Sequence, residues 1–205
     1  MPKIVDHDQR RAEIVDGFLR IVARDGYEAA TTRALADELG VASGAIWHYF
    51  RNFDRVVEAA AIRTIDNTTA RIERASSGLR GLALFDAVVH EVLPFDKETR
   101  DEAAVIVGFW GRAATRPLLT ARMGGETVWW DRIRLALDEA VEDGELDPAT
   151  PTERIVHLLA SVTSGQQVAE VLGAGSTTSE EHGAVVDTVL LPWRTRVTST
   201  PSTQR

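Results

Sequence analysis

Five histidines, no cysteine and 31 carboxylates are the material from which a reactive site would have to be made. Asp86 and His90 stand four residues apart, as do Glu153 and His157. On a helix that spacing puts both side chains on one face, where each pair would be half of a divalent-metal site. No third ligand is placed by spacing beside either pair, so each reads as an i,i+4 side-chain contact and no metal site is assigned. Glu181 and His182 read as a solvated pair between loop and helix. Ser161, Ser164 and Ser176 lack the strand–turn–helix setting of a nucleophile elbow, and no Gly-rich phosphate loop is present. Without cysteine there is no thiolate nucleophile, disulfide framework or zinc–thiolate site. Nothing in these residues argues for an enzyme, and no cofactor is expected.

A second group of residues carries the chemistry of nucleic-acid contact. Arg33 is able to donate a bidentate pair of hydrogen bonds to a guanine edge. Thr31, Thr32 and the N–H groups that follow them suit phosphate oxygens. Ser43, Gly44 and Ala45 are small enough to let backbone approach a groove closely. Trp47, His48 and Tyr49 follow at once, and Arg51 adds a cation. Three of the four residues 47–50 are aromatic, more than one short helix can bury, so part of this run faces outward.

The elements that must position these groups are helical. Ile14, Phe18, Ile21 and Val22 recur at three- and four-residue steps and predict a first helix over about 8–24, stopped by Gly26. Thr31 reads as the cap of a second helix, about 32–39, which Gly40 breaks. A third, about 43–50, has Ile46 and Phe50 inward, and Ser43 stands in for a cap because Ala42 cannot serve. Two short helices joined by a Gly-containing turn are a helix-turn-helix. Asn52 caps a long helix of about 53–74, and further helices are expected at about 79–93, 97–115, 119–143, 152–172 and 178–191. Gly124-Gly125 interrupts the 119–143 segment, and Thr152 caps the one after it. The expected fold is all-α with about nine helices, divided into residues 1–53 and 54–205.

Charge agrees with a DNA-contacting face that is small. The chain carries 23 basic and 31 acidic side chains, net −8, but residues 1–55 hold eight of the basic and nine of the acidic ones. The acidity therefore lies in the C-terminal part, and a wholly basic nucleic-acid binder is excluded. No apolar run of membrane-spanning length and no signal-peptide core are present, so a soluble, cytoplasmic protein that does not enter membranes is expected.

From about residue 10 to 60 the sequence resembles the DNA-binding domain of TetR-family transcriptional regulators. The resemblance rests on the apolar first helix, Gly26-Tyr27, Thr31-Thr32-Arg33, Leu35-Ala36, Gly40-Val41 and the run ending in Phe50. It implies DNA contact through Thr32, Arg33, Ser43, Gly44, Trp47, His48, Tyr49 and Arg51, and a homodimer on a palindromic operator. It also implies a one-component regulator, a repressor released by a small-molecule effector. An activator, a ligand-independent regulator, or a helical carrier or enzyme without DNA binding are the alternatives. Three positions depart from the family pattern: Ala42 replaces a capping Ser or Thr, Ala45 a Thr that touches DNA, and Phe53 a Lys that contacts phosphate.

The C-terminal part is loosely similar to the BetI-like class of ligand domains, over most of 80–191. Phe85, Phe109, Trp110, Met123, Trp129 and Trp130 are candidates for lining an apolar effector pocket, and Glu91 or Glu126 beside aromatic faces suits a cation. The effector does not carry over with the class. The last two helices bear apolar stripes, with Leu159, Val162, Gln166 on one and Val185, Val186, Val189 on the other. The resemblance implies that these pair with their two-fold mates in a four-helix bundle. A dimer is also a physical requirement of groove reading, because two recognition helices must reach major grooves roughly 34–36 Å apart.

Overall fold

The computed structural model describes residues 7–115, 127–173 and 178–195. Nine α-helices occupy them: α1 (His7–Asp25), α2 (Thr32–Leu39), α3 (Ser43–Ile46), α4 (Phe53–Ala75), α5 (Gly81–Val92), α6 (Lys97–Ala113), α7 (Thr127–Glu142), α8 (Thr152–Val171) and α9 (Ser179–Leu190). The only strand-like pairing among them is one bridge between Leu146 and Arg194. The Gly124-Gly125 interruption, Met123, Glu126 and Ser176 lie outside the described residues.

Local chemistry sets most boundaries. Thr31 Oγ1 accepts from the Ala34 amide at 3.2 Å and starts α2, while Gly40 at φ 64° ends it in a left-handed conformation that favours glycine. Asn52 Oδ1 accepts from the Arg55 amide at 3.1 Å and opens α4. Capping boxes at Asp96/Thr99 and Thr178/Glu181 open α6 and α9.

Four boundaries differ from expectation. Ser43 is the first residue of α3, and Ala42 sits at its cap with no side-chain bond. Helix α3 ends at Ile46, with Trp47–Tyr49 in a turn whose amides reach back over long bonds of 3.3 Å (Trp47 to Gly44) and 3.4 Å (His48 to Ala45). Pro151, not Thr152, occupies the cap of α8. Helix α5 starts at Gly81 instead of 79 because its first amides are satisfied by distant carboxylates, Gly81 N by Glu139 at 3.1 Å and Leu82 N by Glu145 at 2.8 Å. No local pattern announces such a cap.

Two apolar cores organise the helices. The first gathers Phe18, Ile21, Leu35, Ile46 and Phe50 with Val56, Val57, Ala60 and Ala61 of α4, and is closed by Val105, Ile106, Phe109 and Ala113 of α6. The second gathers Phe85, Val88, Ile133, Leu137, Ile155, Leu159, Val186 and Leu190, with Ile72 from the far end of α4. Each fully buried Leu, Ile or Phe stabilises the fold by about 1.5–3 kcal/mol. Helix α4 thus belongs to both cores, whereas α6 gives its apolar residues to the first.

Candidate nucleic-acid interface and effector cavity

The α2–α3 unit presents a polar outer surface on a closed core. Ile46 and Phe50 are buried, while Arg33, Ser43, Gly44, Trp47, His48 and Arg51 are exposed and Thr32 and Tyr49 are half-buried. Trp47 keeps 38% of its surface in contact with solvent. A Cβ built on Gly44 meets nothing within 4 Å, so the missing side chain relieves no crowding inside the protomer. Arg33 and Arg51 make no hydrogen bond or ion pair among the described residues. Elsewhere in this unit arginines are engaged: Arg20 and Arg24 of α1 donate to Glu38 of α2 at 2.9 and 3.0 Å. Those two bonds hold the Glu38 carboxyl below the usual carboxylate range, the Arg20 hydrogen bond being the larger cause.

The end of α3 is held by α1. Arg11 Nη1 donates to the Tyr49 carbonyl at 2.6 Å, and its guanidinium lies 4.3 Å from the centroid of the Phe50 ring. The His7 and Tyr49 rings meet at 5.1 Å. Sequence reasoning missed Arg11, because nothing local marks a bond that spans 38 residues.

A joint connects this unit to α6. The Tyr27 ring fills the place where a side chain on Gly108 would stand; a Cβ there would overlap it. Arg112, one turn further on, donates through Nε to the Tyr27 hydroxyl at 3.0 Å and through Nη1 to Asp54 at 2.8 Å. Its guanidinium sits 5.4 Å from the Phe53 ring centroid, and Phe53 meets Phe18 edge-on at 5.9 Å. Phe53, a departure from the family pattern in the sequence, is part of this joint. Burial pushes the Tyr27 phenol up, against the opposing effect of Arg112.

The C-terminal half holds a small cavity of about 30 Å³, room for a water molecule, lined by Trp110, Trp129, Trp130, Thr64, Thr68 and Glu102, among others. Arg71 of α4 ties together two carboxylates of that lining. It donates to Glu91 of α5 at 2.8 Å and to both carboxylate oxygens of Glu102 of α6 at 2.8 and 2.6 Å. The Glu102 hydrogen bond, first among several, raises the guanidinium further above its ordinary value. Trp129 Nε1 donates to Thr69 at 2.8 Å, whereas the buried Trp110 Nε1 finds no acceptor among the described residues.

Of the aromatic residues expected to line a pocket, Trp110, Trp129 and Trp130 do so, and Glu91 joins them. Phe85 and Phe109 do not. They are 1% and 5% exposed and pack in the second and first cores respectively, because each sits on the apolar stripe of its helix. Arg71, Glu102 and the hydroxyls of Thr64, Thr68, Thr163 and Ser164 escaped the sequence reading. An arginine and a carboxylate 31 residues apart carry no periodic signal.

The residues of the expected pairing stripe differ in how far one protomer already buries them. Leu159 and Val186, at 0% and 3% exposure, are turned into the protomer's own core. Gln166 donates to the His182 carbonyl at 3.2 Å and joins α8 to α9. Val162, Gln166 and Val189 are half-buried, and the apolar surface left open includes Leu158, Val185 and Leu191, with Val171 and Leu172 at the far end of α8. Among the described residues no three His, Asp or Glu side chains converge as a metal site, His90 stacks near Phe95 at 5.1 Å, and no helix is long and apolar enough to cross a membrane.

Comparison with known proteins agrees with this geometry. Residues 14–60 match the family model "Bacterial regulatory proteins, tetR family", and residues 82–191 match "BetI-type transcriptional repressor, C-terminal". The HTH-type transcriptional regulator PksA of Bacillus subtilis is 32% identical over 112 residues, 53% of this chain and 54% of that one. An HTH-type transcriptional repressor of Mycobacterium tuberculosis is 39% identical over 84 residues, 40% of this chain and 44% of its own. The chain thus spans about half the length of the curated relatives it matches. A transcriptional regulator from Saccharomonospora viridis, solved in complex with choline, superposes with a TM-score of 0.82 at 17% identity, covering 92% of this chain and all of that one. The two family matches, over the helix-turn-helix and over the C-terminal helices, place the chain in the tetR family of bacterial transcriptional regulators, with a BetI-type C-terminal region.

Proposed function

We propose that the chain is a dimeric, cytoplasmic transcriptional repressor that binds a palindromic operator through the α2–α3 unit and releases it when a small molecule enters the C-terminal half. It has no catalytic role in this reading. The observation that carries it is the α2–α3 surface itself. Arg33 and Arg51 are unpaired among the described residues, Gly44 is bare, and Trp47 and His48 are held in water by a fully closed core beneath. Isolated exposed groups of these types suit base edges and phosphates. DNA contact is assigned to Thr32, Arg33, Ser43, Gly44, Trp47, His48, Tyr49 and Arg51. The reading region is residues 1–53, although its core is shared with α4 and α6.

The effector is assigned to the cavity of Trp110, Trp129 and Trp130, which must widen beyond its present volume to admit one. The route out runs along α6. Ile106 and Trp110 face the cavity, and Gly108 and Arg112 hold Tyr27 and Asp54 of the DNA-binding end. A displacement of α6 therefore moves the joint, and a ligand that prefers the displaced form shifts the population toward it. Choline is the first probe, since the Saccharomonospora viridis neighbour binds it.

Selection of bound fragments from a random duplex pool at low salt tests the DNA-binding reading. Enrichment of a two-fold symmetric site supports it. A folded dimer that enriches no sequence, at any salt, overturns it.

A further inference from the structure

The reading surface at residues 47–49 is not a helix that supports itself. Only Ser43–Ile46 is α-helical, and the cap residue Ala42 contributes no side-chain bond. The amides of Trp47 and His48 are held by backbone bonds at the long end of the range, 3.3 and 3.4 Å. The amides of Tyr49 and Phe50 both return to the Ile46 carbonyl, at 3.0 and 3.1 Å, and a second hold on the end of the segment comes from outside it. Arg11 donates to the Tyr49 carbonyl at 2.6 Å, a bond to a charged donor, and lays its guanidinium over the ring of Phe50 at 4.3 Å. Phe50 is 2% exposed and anchored in the first core, so it is a fixed platform. Arg10, the neighbouring cation, is paired with Glu13 and does not take part.

We infer that Arg11 is a positioning residue for DNA recognition: it clasps the Tyr49–Phe50 backbone from α1 and so sets the orientation of Trp47, His48 and Tyr49 toward DNA. The inference rests on the DNA-binding reading above. Arg11 has no carboxylate partner among the described residues, and the groove beside it holds Arg51 and Arg55, with Glu58 already paired to Arg55. A plain phosphate contact by Arg11 is thus the competing role, and the two roles part in their response to substitution. A phosphate contact needs only the charge, and losing it lowers the salt slope by about one unit per protomer. A clasp needs the planar fork, and losing it lowers discrimination between sequences without removing a counterion.

The test uses Arg11→Lys and Arg11→Gln in the full chain. Affinity for the selected operator and for a random duplex is measured across a salt series. Both variants are expected to lower the operator-to-random ratio about tenfold, and Arg11→Lys to keep the wild-type salt slope. A full rescue of the ratio by Arg11→Lys overturns the inference, as does an unchanged ratio in Arg11→Gln. Amide exchange at Trp47–Phe50 in the DNA-free protein is read in parallel. It is expected to accelerate about tenfold in Arg11→Lys, the equivalent of one hydrogen bond to a charged group, with amides of α1 and α4 unchanged. Unchanged exchange overturns the clasp even if the wild type enriches no operator, a result that would instead sink the DNA-binding reading.

Discussion

At the scale of the residue, the assignments differ in what a single substitution should do. Arg33 stands on the first turn of α2, exposed and unpaired among the described residues. If it reads a base edge, Arg33→Ala costs about 1–3 kcal/mol per protomer and relaxes preference at one symmetric pair of operator positions. Competition between operator variants measures this, and an unchanged preference at every position would remove Arg33 from the base contacts. The types of residue were legible in the sequence, because Arg33, Ser43, Gly44 and Trp47 needed only the helical period to be placed outward. The residues that hold them were not. Arg11 bonds across 38 residues and Arg112 across 85, and neither distance leaves a trace in local pattern. Phe53 illustrates the same limit. As a sequence departure it reads as a lost phosphate contact, whereas in space it packs against Phe18 and under Arg112.

At the scale of the element, α1, α2 and α6 are joined by contacts whose loss is separately measurable. The carboxylate of Glu38 binds Arg20 and Arg24 together and ties α2 to α1. Its pKa is lowered in the folded state, so the pair contributes stability above the ordinary carboxylate range. That contribution is lost as pH falls through the lowered value, because the unfolded chain then binds a proton the folded one resists. Thermal unfolding followed from pH 6 down to pH 3 should therefore fall more steeply for wild type than for Glu38→Gln; parallel curves would mean the pair contributes nothing measurable. The joint at α6 responds to volume instead. Gly108→Ala sets a methyl into the Tyr27 ring, and overpacking of this kind typically costs about 1–3 kcal/mol. Tyr27→Phe leaves the ring and removes only the hydroxyl that Arg112 reaches, a change of about 1 kcal/mol. Tyr27→Ala empties the space, so the double variant Gly108→Ala, Tyr27→Ala should lose less than the sum of its singles. Strict additivity in chemical denaturation would show that the two residues do not share the seat.

At the scale of the whole molecule, the proposed activity needs two protomers, and the sequence alone did not show which apolar residues of α8 and α9 stay open in one protomer. Periodicity places Leu159 and Val186 on apolar stripes, but it does not say which of two apolar neighbours turns inward. The second core takes Leu159 and Val186 for itself because α8 packs on α6, α7 and α9 within one protomer. That leaves Leu158, Val185 and Leu191 at 50%, 42% and 70% exposure, large apolar groups with no cover in one protomer. Three such groups on or next to two adjacent helices are the material of a two-fold contact. Because Val185 is outside the core, Val185→Glu should leave the protomer's unfolding transition nearly unchanged while placing two carboxylates face to face across the axis. Sedimentation should then report a monomer, and operator affinity should drop by more than about 100-fold, since each half-site would bind without the effective concentration supplied by the other. A dimer that survives Val185→Glu and Leu158→Asp together would mean that the protomers meet on another face, and that the spacing of the two recognition units is set elsewhere than at α8 and α9.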